Sequence, residues 1–170
     1  MGDVLLYARG AGSDVLINSD VIGDTGHITI TAADSVVTQN SDDDIRTNGD
    51  GTVLITAQTG SITLNALDVP SSTTAITTAD GDILLVAAVD ITLNANVVST
   101  GTASANSGDI GLTAGNDVHQ NEDIRTERGD VLITAGRDVT MATSAAANPV
   151  TTTHTSEGDR KSTRLNSSHT

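Results

Sequence analysis

A seven-residue unit of the form Gly-x-(Ile/Val)-x-(Leu/Ile)-x-Ala occurs six times, and it constrains the fold more than any other feature of the chain. It runs from Gly2 to Ala8 (GDVLLYA), Gly26 to Ala32 (GHITITA), Gly51 to Ala57 (GTVLITA), Gly81 to Ala87 (GDILLVA), Gly108 to Ala114 (GDIGLTA) and Gly129 to Ala135 (GDVLITA). Successive glycines are 24, 25, 30, 27 and 21 residues apart. Repeats of this length are single supersecondary units that have to stack to bury an apolar face. Inside each unit the residues alternate. Ile28, Ile30 and Ala32 point one way and Thr29 and Thr31 the other, the period of a strand with one buried face. Turn-forming Gly, Asn, Asp and Ser flank the units. A second short strand often follows about ten residues after the glycine, at Asp34 to Val37, Asp90 to Leu93, Asp117 to His119 and Asp138 to Met141.

A longer period overlies this one. The stretch from Thr31 to Ala57 aligns with that from Thr113 to Ala135, matching Gln39 and Asn40 with Gln120 and Asn121. The same alignment matches the Asp-Ile-Arg-Thr segment starting at Asp44 with the one starting at Asp123. The offset is 79 to 82 residues, so three coils make one super-repeat, present nearly twice.

These patterns predict an all-β fold, a right-handed parallel β-helix (β-solenoid) of about six coils of 21–30 residues, in two super-repeats of about 80 residues. The solenoid occupies residues 1–158, with super-repeats at about 2–80 and 81–158. Like strands then stack in parallel about 4.8 Å apart. Val4, Ile28, Val53, Ile83, Ile110 and Val131 form one interior ladder, and Leu6, Ile30, Ile55, Leu85, Leu112 and Ile133 the next. The alanine that follows fits a tight corner, and the leading glycine is expected to supply positive φ at a turn. Leu5, Leu54, Leu84 and Leu132 fall on the outward phase, as surface leucines or as a contact patch.

Composition narrows the function classes. One Tyr and no Phe or Trp leave Ile, Val, Leu and Ala to build the interior, which suits a narrow, regular β structure. A net charge of −14 excludes nucleic acid and anionic membrane surfaces as partners, since both call for clustered Lys and Arg. No window approaches a membrane-spanning run of about 18 apolar residues. The absence of Cys leaves the redox compartment unread. No basic leader precedes Gly2, so the chain is expected either to be cytosolic or to start inside a longer protein.

The last residues, from Asp159 to Thr170 (DRKSTRLNSSHT), break the repeat where a third super-repeat should open. The string resembles one translation frame of a common short-read sequencing adapter, and it holds the one Lys of the chain, Lys161. Residues 159–170 are therefore expected to be a non-native tail that packs on nothing, appended to a fragment cut at Gly158 or Asp159.

Candidate chemistry is sparse, and no catalytic, cofactor-binding or metal-ligating residue is assigned. Asp42, Asp43 and Asp44, with Glu122 and Asp123, offer oxygens of the kind Ca²⁺ prefers, but they read more simply as solvated acidic turns. The nonapeptide of calcium-binding β-rolls is missing. His27, His119 and His154 have no metal-ligand spacing and read as surface residues. Thr29 and Thr31 form a T-x-T pair that the other coils replace, so no flat ice-binding array is expected. No Gly-x-Ser-x-Gly elbow occurs.

The Gly-Asp-Ile-x-Leu-x-Ala units followed by Asp-(Val/Ile)-x-(Leu/Met) strands, from Gly2 to Met141, resemble the repeats of filamentous-haemagglutinin-type adhesins and related autotransported proteins. The resemblance implies an extracellular or bacterial cell-surface location and a structural or adhesive stalk. Its partner would be a ligand on a host or neighbouring cell, with end-to-end self-association at open coil edges. The alternatives are a parallel β-helix polysaccharide lyase or hydrolase, and a passive repeat region of a toxin-delivery protein. The near-identity of the two super-repeats favours a spacer over an enzyme, because a catalytic site needs one coil to differ.

Overall fold

The computed structural model describes residues 2–38, 44–65, 74–101, 108–142 and 150–151, and the backbone of 152 and 164–167. Its strands fall into successive triplets. The first strand of each triplet is the Gly-led unit itself: β1 (Val4–Ala8), β4 (Ile28–Ala32), β7 (Val53–Ala57), β10 (Ile83–Ala87), β13 (Ile110–Ala114) and β16 (Val131–Ala135). The second strands are β2 (Val15–Ile17), β5 (Val36–Thr38), β8 (Ile62–Asn65), β11 (Ile91–Asn94), β14 (Val118–Gln120) and β17 (Val139–Met141). The third are β3 (Val21–Asp24), β6 (Ile45–Thr47), β9 (Thr74–Thr78), β12 (Asn96–Ser99), β15 (Ile124–Thr126) and β18 (Val150–Thr152). Each kind of strand stacks on its own kind, giving three parallel sheets and no helix among the described residues. The chain is a parallel β-solenoid of six three-stranded coils.

The first sheet keeps one register throughout. Val4, Ile28, Val53, Ile83, Ile110 and Val131 align strand to strand, as do Leu6, Ile30, Ile55, Leu85, Leu112 and Ile133. A one-residue slip would turn every aliphatic side chain outward, so the alternation fixes the register. From the second coil to the sixth these two columns are completely buried, while Val4 and Leu6 are half-exposed because nothing described lies beyond the first coil. Each buried Ile, Leu or Val stabilises the stack by roughly 1.5–3 kcal/mol. The buried hydrophobic residues are Ile, Leu, Val and Ala, with no aromatic ring among them.

The sequence reading places no third strand, although the two Asp-Ile-Arg-Thr segments each contain one. The inward column of the third strands ends in hydroxyls: Thr47, Thr78, Ser99 and Thr126, all buried. Thr47 and Thr78 donate to the carbonyls of Gly51 and Gly81 at 2.5 and 2.6 Å, and Thr126 donates to that of Gly108 at 3.0 Å. These bonds hold the corner that returns the chain to the first sheet.

The leading glycines correct one expectation. Among the described glycines only Gly12 and Gly49 have positive φ, so Gly26, Gly51, Gly81, Gly108 and Gly129 are not there for left-handed backbone. Stacking requires them instead. A Cβ on Gly81, Gly108 or Gly129 would run into the carbonyl of the corresponding glycine one coil earlier. Only a residue without a side chain lets the corner backbones approach to sheet distance.

The tail corrects another. Arg164–Ser167 forms β19, which pairs in parallel with β16 as a seventh strand of the first sheet, so these four residues do not stand clear of the fold. The edge of β16 otherwise offers unpaired backbone groups, and the register sets Leu165 opposite the buried Ile133.

Candidate functional site

The acidic residues that give the chain its charge sit at the corners, where they do structural chemistry. Before the second sheet, one side chain per coil accepts the backbone N–H of the residue stacked on it. Asp14 accepts from Ser35 (2.9 Å), Ser35 Oγ from Ser61 (3.2 Å) and Ser61 Oγ from Asp90 (3.2 Å). Asp90 accepts from Asp117 and Asp117 from Asp138, both at 3.1 Å. Before the first sheet, Asp3 accepts from His27 (2.9 Å), Asp82 from Asp109 (2.8 Å) and Asp109 from Asp130 (2.7 Å). This is the physical reason for Asp after Gly in the repeat: its carboxylate satisfies a corner amide that no sheet ladder reaches. Asp130 is the last described member of the column, and its Oδ1 is buried with no hydrogen-bond partner.

A second ladder runs where the chain leaves the second sheet. Asn121 Nδ2 donates to Asn94 Oδ1 at 2.7 Å, Asn94 Nδ2 to Asn65 Oδ1 at 2.9 Å, and Asn65 Nδ2 to the Thr38 carbonyl at 2.9 Å. An amide both donates and accepts, so identical amides stack head to tail without a charge penalty. Sequence reasoning missed this column. Its signal was present in the repeated Ile-Thr-Leu-Asn of residues 62–65 and 91–94.

The candidate residues from the sequence do not converge. Asp44 and Asp123 occupy the same corner before β6 and β15, which lie three strand steps apart, or about 14 Å. Their backbone N–H groups donate to Asp20 (3.1 Å) and to Asn96 Oδ1 (2.9 Å). Asp42, Asp43 and His154 lie outside the described residues. Among the described residues no three His, Asp or Glu side chains meet where a metal could sit. His27 takes the place of Asp in its column: Nδ1 accepts from the Thr52 amide at 3.2 Å and lies 2.8 Å from Thr52 Oγ1. His119 lies outward on β14, its Nδ1 2.8 Å from Thr140 Oγ1. Thr29 stands between Leu5 and Leu54 in its outward column, so that column offers no threonine array. In the last complete coil Arg137 forms a two-pronged pair with Asp117, Nε to Oδ1 at 3.2 Å and Nη2 to Oδ2 at 2.5 Å. That hydrogen bond holds the Asp117 carboxyl below the usual carboxylate range and raises Arg137.

The outward face of the first sheet carries a concavity. Its column reads Leu5, Thr29, Leu54, Leu84, Gly111 and Leu132, with Arg164 next in register. Gly111 leaves a notch between Leu84 and Leu132, which are 42% and 49% exposed. The resulting groove of about 590 Å³ is bordered by Asp82, Asp109 and Asp130.

No family model, no curated protein and no solved structure matches the chain.

Proposed function

We propose that the chain is a structural and adhesive stalk segment of a large secreted or cell-surface bacterial protein, and that it performs no catalysis. The single observation that carries this reading is the tandem sameness of the coils. The same corner devices recur from coil to coil, and residues bearing unusual chemistry are duplicated about 80 residues apart, as in the Asp-Ile-Arg-Thr segments at Asp44 and Asp123. A solenoid gains about 4.8 Å per coil, so each super-repeat of three coils lengthens a rod by about 14 Å while leaving its cross-section unchanged. The resemblance to filamentous-haemagglutinin-type repeats supports export to the cell surface. The net charge of −14 keeps neighbouring rods apart.

The test is a turnover screen against pectins, alginates and neutral glycans, with and without Ca²⁺. No turnover is expected. Reproducible turnover abolished by one carboxylate substitution in a single coil would replace the stalk with a polysaccharide-acting β-helix enzyme. Adhesion is read separately, by coating beads with the chain and scoring attachment to bacterial and epithelial cells. Attachment no greater than that of beads coated with an inert acidic protein would remove the adhesive half of the proposal.

A further inference from the structure

We infer that the notch at Gly111 is a lateral binding site for a basic polypeptide segment in which one large apolar side chain is flanked by Lys or Arg. The reading stands on the groove alone and holds whether or not the chain is a stalk. Gly111 is the one glycine in an outward column that otherwise reads Leu5, Thr29, Leu54, Leu84 and Leu132, with Arg164 next in register. Its neighbours Leu84 and Leu132 are two strand steps apart, about 10 Å, which leaves room between them for a single aliphatic or aromatic side chain. Both leucines keep much of their surface in water, so covering them is favourable.

Charge selects the occupant. Asp82, Asp109 and Asp130 line one edge of the groove at one carboxylate per coil. Asp82 and Asp109 are exposed and accept their ladder amides through Oδ1, so the ladder does not engage Oδ2 of either. Among the described residues, the polar side chains bordering the groove are carboxylates, acceptors with negative charge. They complement ammonium and guanidinium groups and repel acidic peptides, nucleic acid and a second copy of this acidic chain. Cations spaced along an extended peptide would run beside the column while the apolar residue fills the notch.

The experiment uses the full chain and a dye-labelled synthetic peptide with one Phe flanked on each side by two Lys, followed by fluorescence anisotropy. Two further peptides replace Phe by Ser, or Lys by Glu. The parent peptide should bind at least tenfold more tightly than either, and should weaken as salt rises. Gly111→Leu fills the notch. The added Cβ meets only the flexible Leu84 Cδ1, so the coil tolerates it, and a circular-dichroism melt checks this. It should lower affinity at least tenfold. Asp82→Asn and Asp109→Asn keep the ladder acceptor and remove the charge, and each should lower affinity roughly two- to fivefold. Equal binding of the Phe and Ser peptides, or unchanged binding by a folded Gly111→Leu chain, would overturn the site. Binding of anionic glycans in the parent peptide's place would overturn the assignment of its occupant.

Discussion

The asparagine ladder offers a sharp stability test, because its members look like ordinary polar residues in sequence. Asn94 is the middle of three stacked amides. It donates to Asn65 at 2.9 Å and accepts from Asn121 at 2.7 Å. Asn94→Ala removes both bonds and leaves Asn65 Oδ1 and Asn121 Nδ2 without those partners. Each lost bond is worth about 0.5–1.5 kcal/mol, and an orphaned buried group costs about 1–3 kcal/mol. Asn94 is half-buried, so water recovers part of that loss, and the expected destabilisation is about 2–3 kcal/mol. Asn94→Asp keeps the acceptor for Asn121 but sets a carboxylate against Asn65 Oδ1. It should lose as much at neutral pH and recover part of the loss below about pH 4, where the carboxyl protonates and can donate. Asn18, exposed in a turn, is the control, and Asn18→Ala should stay within about 0.5 kcal/mol of the parent. Urea midpoints followed by circular dichroism measure all four chains. Equal midpoints for Asn94→Ala and Asn18→Ala would refute the ladder as a source of stability.

Further consequences follow from burial, stacking and charge. Ile83→Asp puts an unpaired carboxylate in the dry interior and should abolish cooperative unfolding or lower the midpoint severely, whereas Thr29→Asp, on the outward face, should be mild; equal losses in a denaturant series would contradict the inside–outside assignment. Gly81→Ala drives a methyl into the Gly51 backbone and should cost about 1–3 kcal/mol, while Gly2→Ala meets nothing within 4 Å and should be near neutral, as thermal melts of the two would show. The Asp117 carboxyl is held low by Arg137, so its contribution is present above the unfolded pKa of about 3.9 and is lost as pH falls through the folded value. The Tm difference between the parent and Arg137→Gln should therefore be constant near neutrality and shrink below about pH 4; a difference independent of pH would count against the pair.

Much of the fold could be read because a solenoid repeats its instructions. The strict alternation in GHITITA and GDVLITA fixes strand, face and register together, and both interior ladders of the first sheet follow from it. The third strands were harder to see. Three-residue strands such as Ile45–Thr47 carry one buried aliphatic each, too little for a periodic signal. The corner glycines were correctly placed but explained by the wrong physics. Sequence shows that glycine is needed, and only stacked coils show that the obstacle is the carbonyl of the coil before. The Asp and Asn columns were missed for a related reason. Their partners lie 21 to 29 residues away, a separation that local turn rules never consider. The groove at Gly111 needed the register too, since the substitution of Gly for Leu matters only once Leu84 and Leu132 are known to flank it.

In the solenoid, like strands stack one per coil in sequence order. The chain has no Cys, so pairs of nitroxide labels can be placed at will. Tyr7, Thr56, Val86, Thr113 and Thr134 share one outward column of the first sheet. Electron–electron dipolar distances from Tyr7 to each of the other four should rise steadily, by about 4.8 Å per strand step. On that scale the backbone separation runs from about 10 Å to Thr56 to about 24 Å to Thr134, with a constant added for the labels. Distances that failed to grow in the order 56, 86, 113, 134, or that placed Thr134 as near Tyr7 as Thr56, would contradict the solenoid.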